Sequence, residues 1–248
     1  MRSHPSATRF FVSGVFGRGD VVDLAGEDAR KLLVVLRRTA GDAVEVVDSG
    51  GRSFGAVLEV EGSSVRARLV AEVATPRAPS LSITLAQGVP KAAKMDFVVE
   101  KATELGVARI VPFTSERTVG EGKRDGKLER WRRLARSAAQ QCGRRDVPAV
   151  DAPLSFQALL ERFASYDIAL VPWEVAETVP LRERLPALLA GAASVLVAIG
   201  PEGGLSHGEA LAAEAAGAVL VSLGSRILRT ETAGLVACSA LLYASGDL

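Results

Sequence analysis

Beyond residue 80 the chain repeats one pattern, a short apolar run followed by a longer segment of helical period. LSITLAQGV, ARIVPF, DIALVPWE, SVLVAIG and AVLVSLG are the short runs. KAAKMDFVVEKATELG sets Met95, Val98, Val99, Ala102 and Leu105 on one face, and Gly106 supplies a natural stop. KLERWRRLARSAAQQCG is a basic amphipathic helix, and LSFQALLERFA, SHGEALAAEAAG and TETAGLVACSALLYASG also read as helices. LRERLPALLAG is helical too, with Pro186 either bending it or marking a later start. A run such as VLVAI has no polar alternation, as expected of a strand buried on both faces. Strands alternating with helices predict an α/β fold, a parallel sheet covered by helices on both faces.

The first part of the chain follows a different rule. Between residues 8 and 74, RFFVSG, DVVDLAG, AVEVVDSGGRSFGAVLEVEG and SVRARLVAEV are short or alternating apolar runs split by Gly, Asp and Ser. One helix is expected in GEDARKLLVVLRR, from after Gly26 to near Thr39, with Leu32, Leu33, Val35 and Leu36 on its apolar face. Strands of this length suggest a small β-barrel. ATPRAPS, with two prolines, is the best linker. The expected division is 1–74 for the barrel, 75–80 for the linker and 81–248 for the α/β domain.

Charge narrows the partner. Net charge is +1, but Arg117–Arg145 holds ten Lys/Arg against three acids, which is +7. From Asp146 to Leu220 ten acids face three bases, which is −7. A basic block on a near-neutral chain fits a polyanionic partner, and equally a solvated helix face. Two cysteines, Cys142 and Cys238, and two histidines, His4 and His207, make no zinc-binding spacing. The start lacks an apolar signal-like segment, and no run is long enough to span a membrane. A cytoplasmic protein with no metal is therefore expected.

The loop after VLVAI is the strongest chemical signal. Ile199 leads into Gly200, Pro201, Glu202, Gly203 and Gly204, and then Ser206 and Glu209 form a capping box for the next helix. Open α/β sheets bind ligands at the carboxyl ends of their strands. Glycine there admits a ligand to backbone groups, or simply serves a tight turn. AVLVS ends in another such loop, LGSRILRTETAG, and LVPWE ends in proline. Three unusual strand ends together favour a pocket. No GxxxxGK[ST] or GxGxxG motif is present in the α/β part.

QGVPKAAKMDFVVEKATELGVARIVPFTSERTV, RWRRLARSAAQQCGRRDVP, IGPEGGLS and VSLGSRILRTETA occur in this order. In these segments the chain resembles the 16S ribosomal RNA (uracil-N3)-methyltransferase family of the SPOUT class. The resemblance implies a C-terminal α/β domain with a trefoil knot near 195–240 and a PUA-like barrel at the N-terminus. It implies a homodimer that uses S-adenosylmethionine and acts on 16S ribosomal RNA or the small ribosomal subunit. Carried over residue by residue, the cofactor loops are Leu170, Val171 and Pro172; Ile199, Gly200, Pro201, Gly203 and Gly204; and Ser222, Leu223, Gly224, Ile227, Leu228 and Thr230. Many members carry a histidine pair where this chain has Arg30 and Lys31, ahead of LLVVLR.

Methylation of uracil N3 needs its proton, with a pKa of roughly 9 to 10, similar to a tyrosine hydroxyl, removed or weakened. Arg229 is the expected catalytic cation for the developing anion. Glu202 and Glu231 either accept the proton or orient their neighbours. Expected phosphate contacts are Arg30, Lys31, Arg37, Lys91, Lys94, Arg117, Arg132, Arg136, Arg144 and Arg145. The competing readings are methylation of another RNA atom, such as a ribose 2′-oxygen, and a non-catalytic RNA-binding assembly factor.

Overall fold

The computed structural model describes residues 8–74, 79–91, 93–118, 126–174 and 178–248. Most of the expected linker, 75–78, lies outside them, as do Lys123 and Arg124 of the basic block. The chain divides into two compact units: residues 1–78 with 139–146, and residues 79–138 with 147–248.

The second unit holds a parallel sheet. Its strands are β6 (Ser82–Gly88), β7 (Arg109–Thr114), β8 (Ala149–Val150), β9 (Leu154–Ser155), β10 (Ile168–Pro172), β11 (Ser194–Ile199) and β12 (Val219–Val221). Their order is β12-β10-β11-β6-β7-β8, with β9 also pairing with β7. Every pairing in the sheet is parallel. On β11, Val195, Val197 and Ile199 enter one core while Leu196 and Ala198 enter the other. That two-sided burial is why the run carries no polar alternation; each Val, Leu or Ile side chain so buried stabilises by about 1.5–3 kcal/mol.

The covering helices are α2 (Lys94–Leu105), α3 (Lys127–Cys142), α4 (Phe156–Leu160), α5 (Leu181–Leu188), α6 (His207–Ala215) and α7 (Thr230–Ser245). Helix α2 buries Met95, Val98, Val99 and Ala102 and stops at Gly106, whose φ of 101° needs glycine. Helix α6 has the expected capping box between Ser206 and Glu209. Helix α5 starts at Leu181 and runs through Pro186, so the proline does not mark a later start. Among the described residues no helix is long and apolar enough to cross a membrane.

The end of the chain is fastened to the start of β6. The Asp247 carboxylate accepts from Ser80 N at 2.8 Å, Leu81 N at 3.2 Å, Ser80 Oγ at 2.9 Å and Ser245 Oγ at 2.8 Å. Burial opposes the charge, but these donors outweigh it and hold the carboxyl at about 2, below its ordinary 3.8. A depressed folded-state pKa gives stability that is present above the unfolded value and lost as pH falls through the folded one. The gap in unfolding midpoint between wild type and Asp247→Asn is therefore expected to shrink as pH falls from about 5 towards 2. Midpoints from thermal melts across that range measure it; a constant gap would contradict the assignment.

The first unit holds a five-stranded sheet of β1 (Arg9–Phe11), β2 (Val21–Asp23), β3 (Ala43–Val47), β4 (Ser53–Glu61) and β5 (Ser64–Val73), in the order β1-β3-β4-β5-β2. All pairings are antiparallel except β1 with β3. Phe10, Leu32, Val46, Phe54 and Leu58 lie in its core. Segment 139–146 belongs to this unit, which the sequence did not reveal. There Arg9, 7% exposed, donates to the carbonyls of Gly143 and Arg144, and Gln140 bridges Lys31 Nζ and Asp28.

The helix expected from Gly26 to Thr39 is shorter and changes pitch. Helix α1 covers Glu27–Arg30, and Lys31–Val35 form a π-turn in which Leu36 N–H bonds Lys31 O. Five-residue spacing rotates the side chains away from the 3.6-residue stripe. Leu32 is buried, but Val35 is 69% exposed and Leu36 37%. Arg37 then ends the segment at φ 51°.

Candidate functional site

Strands β12, β10 and β11 are neighbours in the sheet, so their carboxyl ends bring the three unusual loops together. They enclose a cavity of about 390 Å³, lined by Pro172–Glu174 at the end of β10, Ile199–Glu202 and Gly204–Leu205 at the end of β11, and Ser222–Gly224 with Arg226–Thr230 after β12. Lys94 and Ala233 complete the wall. This size suits a small organic ligand.

The backbone is crowded behind the cavity, and that is what the glycines are for. A Cβ on Gly200 would lie 2.8 Å from Gly204 C and 2.9 Å from Leu205 N. A Cβ on Gly88, at the end of β6, would lie 2.5 Å from Pro201 N. Gly204 turns the loop at φ 67°. Thr230, the first residue of α7, donates its hydroxyl to Gly200 O at 2.6 Å and joins the second and third loops.

Lys94 and two carboxylates meet at the mouth. Lys94 Nζ lies 3.1 Å from Glu202 Oε1 and 3.3 Å from Glu231 Oε2. Lys91 N also donates to Glu202 Oε1 at 3.0 Å. Partial burial works against the Glu202 charge, but the Lys91 N–H, its own N–H and Lys94 outweigh it and hold its carboxyl below the ordinary range. Chiefly through the Glu202 contact, with Glu231 in support, the Lys94 ammonium is held above its ordinary value. Glu231 Oε2 meets Lys94 at ion-pair distance but without hydrogen-bond geometry. Glu202 therefore anchors its loop as an anion and is a weak proton acceptor.

Arg229 lines the cavity with an 81% exposed side chain, 4.0 Å from Glu231 Oε1. Its guanidinium is free to turn towards a ligand, while its backbone forms the N-cap of α7. Lys94, Arg226 and Arg229 share the wall with Glu174 and Glu202, so the cavity suits a ligand carrying both signs of charge.

Several expected positions fall elsewhere. Leu170 and Val171 are wholly buried, one in each core of the sheet, and do not line the cavity. Gly203 faces away, towards the Arg117 side chain. Lys94, expected on phosphate, is held between carboxylates instead. Arg117 donates to Gly203 O at 3.0 Å, and Arg132 to Val150 O and Glu129. Arg144 pairs with Asp146 at 3.2 Å, Lys31 donates to Gln140, and Arg145 lies over Gly51. Arg136 has an interacting partner. Arg30, Arg37 and Lys91 are exposed. Glu174, Leu205 and Ala233 line the cavity and lie outside the loops expected from sequence. Their positions beside the glycine loops were the only signal.

Residues 76–242 match the model of the RNA methyltransferase domain family. The chain is 33% identical over 229 residues to the ribosomal RNA small subunit methyltransferase E of Bacillus subtilis, covering 89% of each chain. A crystal structure of a ribosomal RNA small subunit methyltransferase E from Neisseria gonorrhoeae, bound to S-adenosyl methionine, superposes with a TM-score of 0.85 at 33% identity. That match covers 96% of this chain and 97% of the other. A methyltransferase from Legionella pneumophila in complex with bound SAM gives 0.88 at 30% identity, covering 96% and 98%.

Proposed function

This chain belongs to the ribosomal RNA small subunit methyltransferase E family, and we propose that it methylates N3 of a uridine in small-subunit ribosomal RNA. The observation that carries the reading is the cavity at three adjacent strand ends, crowded behind by glycine backbone. S-adenosylmethionine supplies, when bound, a methyl group made electrophilic by its sulfonium. Pro172, Ile199–Pro201, Gly204, Ser222–Gly224, Ile227, Leu228 and Thr230 would hold it, with Glu174 and Arg226 available to its charged ends.

The chain's own residues then deal with the acceptor. Arg229 presents its guanidinium to O2 or O4 of the uracil, stabilises the anion and so lowers the pKa of N3. Glu202 and Glu231 orient Lys94 and the loop rather than carry the proton, which leaves to solvent. N3 lies on the pairing edge, so the uridine must be unpaired or flipped. Arg30, Arg37 and Lys91 are the exposed cations best suited to RNA phosphate.

The family relation supports the finer expectations: a SPOUT trefoil knot near 195–240, a PUA-like barrel within 1–74 that adds shape recognition, and a cytoplasmic homodimer. Incubation of small-subunit RNA with protein and labelled donor, followed by nuclease mass mapping, tests the function. The expected product is one N3-methyluridine. A ribose 2′-O-methyl product, or no transfer, would overturn the assignment.

A further inference from the structure

Strand β6 carries a polar side chain where its fold calls for an apolar one. Ile83 and Leu85 enter the core that α7 covers, and Gln87 follows two residues later, facing the same way and fully buried. Its Nε2 donates to Thr230 Oγ1 at 2.8 Å and to Gly88 O at 3.2 Å. Its Oε1 has no hydrogen-bond partner among the described residues.

The orientation of this amide is fixed by its neighbours. A threonine hydroxyl has one proton, and that proton goes to Gly200 O at 2.6 Å. Towards Gln87 the hydroxyl must accept, so Nε2 and not Oε1 faces it. The result is a directed chain, Gln87 Nε2 to Thr230 Oγ1 to Gly200 O, from beneath the sheet to the cavity wall. Thr230 and Gly200 line the cavity, whereas Gln87 does not. An orphaned buried carbonyl is a cost to stability, and leucine here would avoid it.

We infer that Gln87 is a positioning residue: it holds the Thr230 hydroxyl on Gly200 O and thereby sets the opening of the cofactor cavity. This rests on reading the cavity as the S-adenosylmethionine site. Without the amide, the hydroxyl loses its second anchor and the Gly200–Gly204 loop can swing away from the start of α7. The chemistry calls for glutamine: only a long side chain with a neutral N–H donor reaches Thr230 from β6 and also serves Gly88 O. Asparagine is too short, and a buried carboxylate would face two acceptors.

Calorimetric titration of the full chain with S-adenosylmethionine, alongside thermal melting of the ligand-free protein, tests this with Gln87→Leu and Gln87→Met. The expected result is about tenfold weaker binding, with a ligand-free melting temperature equal to or above wild type. Steady-state assays should show a raised KM for the donor and an unchanged KM for RNA. Because both residues act in one chain, adding Gln87→Leu to Thr230→Val should cost no further affinity. Unchanged affinity in both Gln87 variants would overturn the inference. So would an affinity loss accompanied by a lowered melting temperature, which marks a merely structural role. A wild-type protein that did not bind the donor would overturn the reading of the cavity, and this inference with it.

Discussion

Gly88→Ala is expected to weaken S-adenosylmethionine binding by about ten- to a hundredfold, the largest effect of a methyl group added at any described glycine. The added Cβ would stand 2.5 Å from Pro201 N, 2.7 Å from Pro201 Cδ and 2.8 Å from Gly200 C. Two of these atoms are backbone, so no rotamer change relieves the clash. Either β6 or the Gly200–Gly204 loop must shift, and overpacking of this kind costs about 1–3 kcal/mol or more. The shift falls on the loop that walls the cavity. Gly208→Ala is the matched control, since its Cβ meets only Ser206 Oγ at 3.9 Å and sits in α6. It should bind like wild type and melt slightly higher, because alanine favours a helix. Calorimetry on both variants decides the matter; normal binding by Gly88→Ala would mean that this loop does not shape the site.

Arg229→Ala is expected to lower the rate of methyl transfer by about a hundredfold at neutral pH, the size of effect seen when one stabilising donor is removed. Donor affinity and melting temperature should change little. The side chain is 81% exposed, and the backbone capping of α7 does not depend on it. The pH profile gives a sharper signature. If Arg229 lowers the pKa of uracil N3, its loss moves the rising limb of the rate to higher pH, and the deficit shrinks in alkaline buffer. A variant with wild-type rate, or a deficit constant with pH, would remove Arg229 from this role.

The α/β layering was legible because burial on both faces writes itself into a strand as an unbroken apolar run, as in VLVAI. The cavity was legible for a related reason. Glycine-rich loops stand at strand ends, and order β12-β10-β11 makes those ends neighbours. What sequence did not give was direction. Position in the loop pattern groups Leu170 and Val171 with Pro172 as cofactor contacts, yet of the three only Pro172 lines the cavity. Lys94 read as a surface cation because a charge pattern carries no information about Glu202 or Glu231, over a hundred residues away in the chain. The π-turn at Lys31–Val35 was hidden as well, since LLVVL satisfies a 3.6-residue stripe until one extra residue enters the turn. Gln87 passed unnoticed because one glutamine at a strand end looks like the start of a loop.

The most direct measurement is a crystal structure of the protein grown with S-adenosylmethionine. The expected result is donor density within the cavity between Gly200–Leu205 and Ser222–Thr230, with Thr230 Oγ1 still on Gly200 O. Density for the donor at any other place, with that cavity holding only solvent, would contradict the assignment of the site.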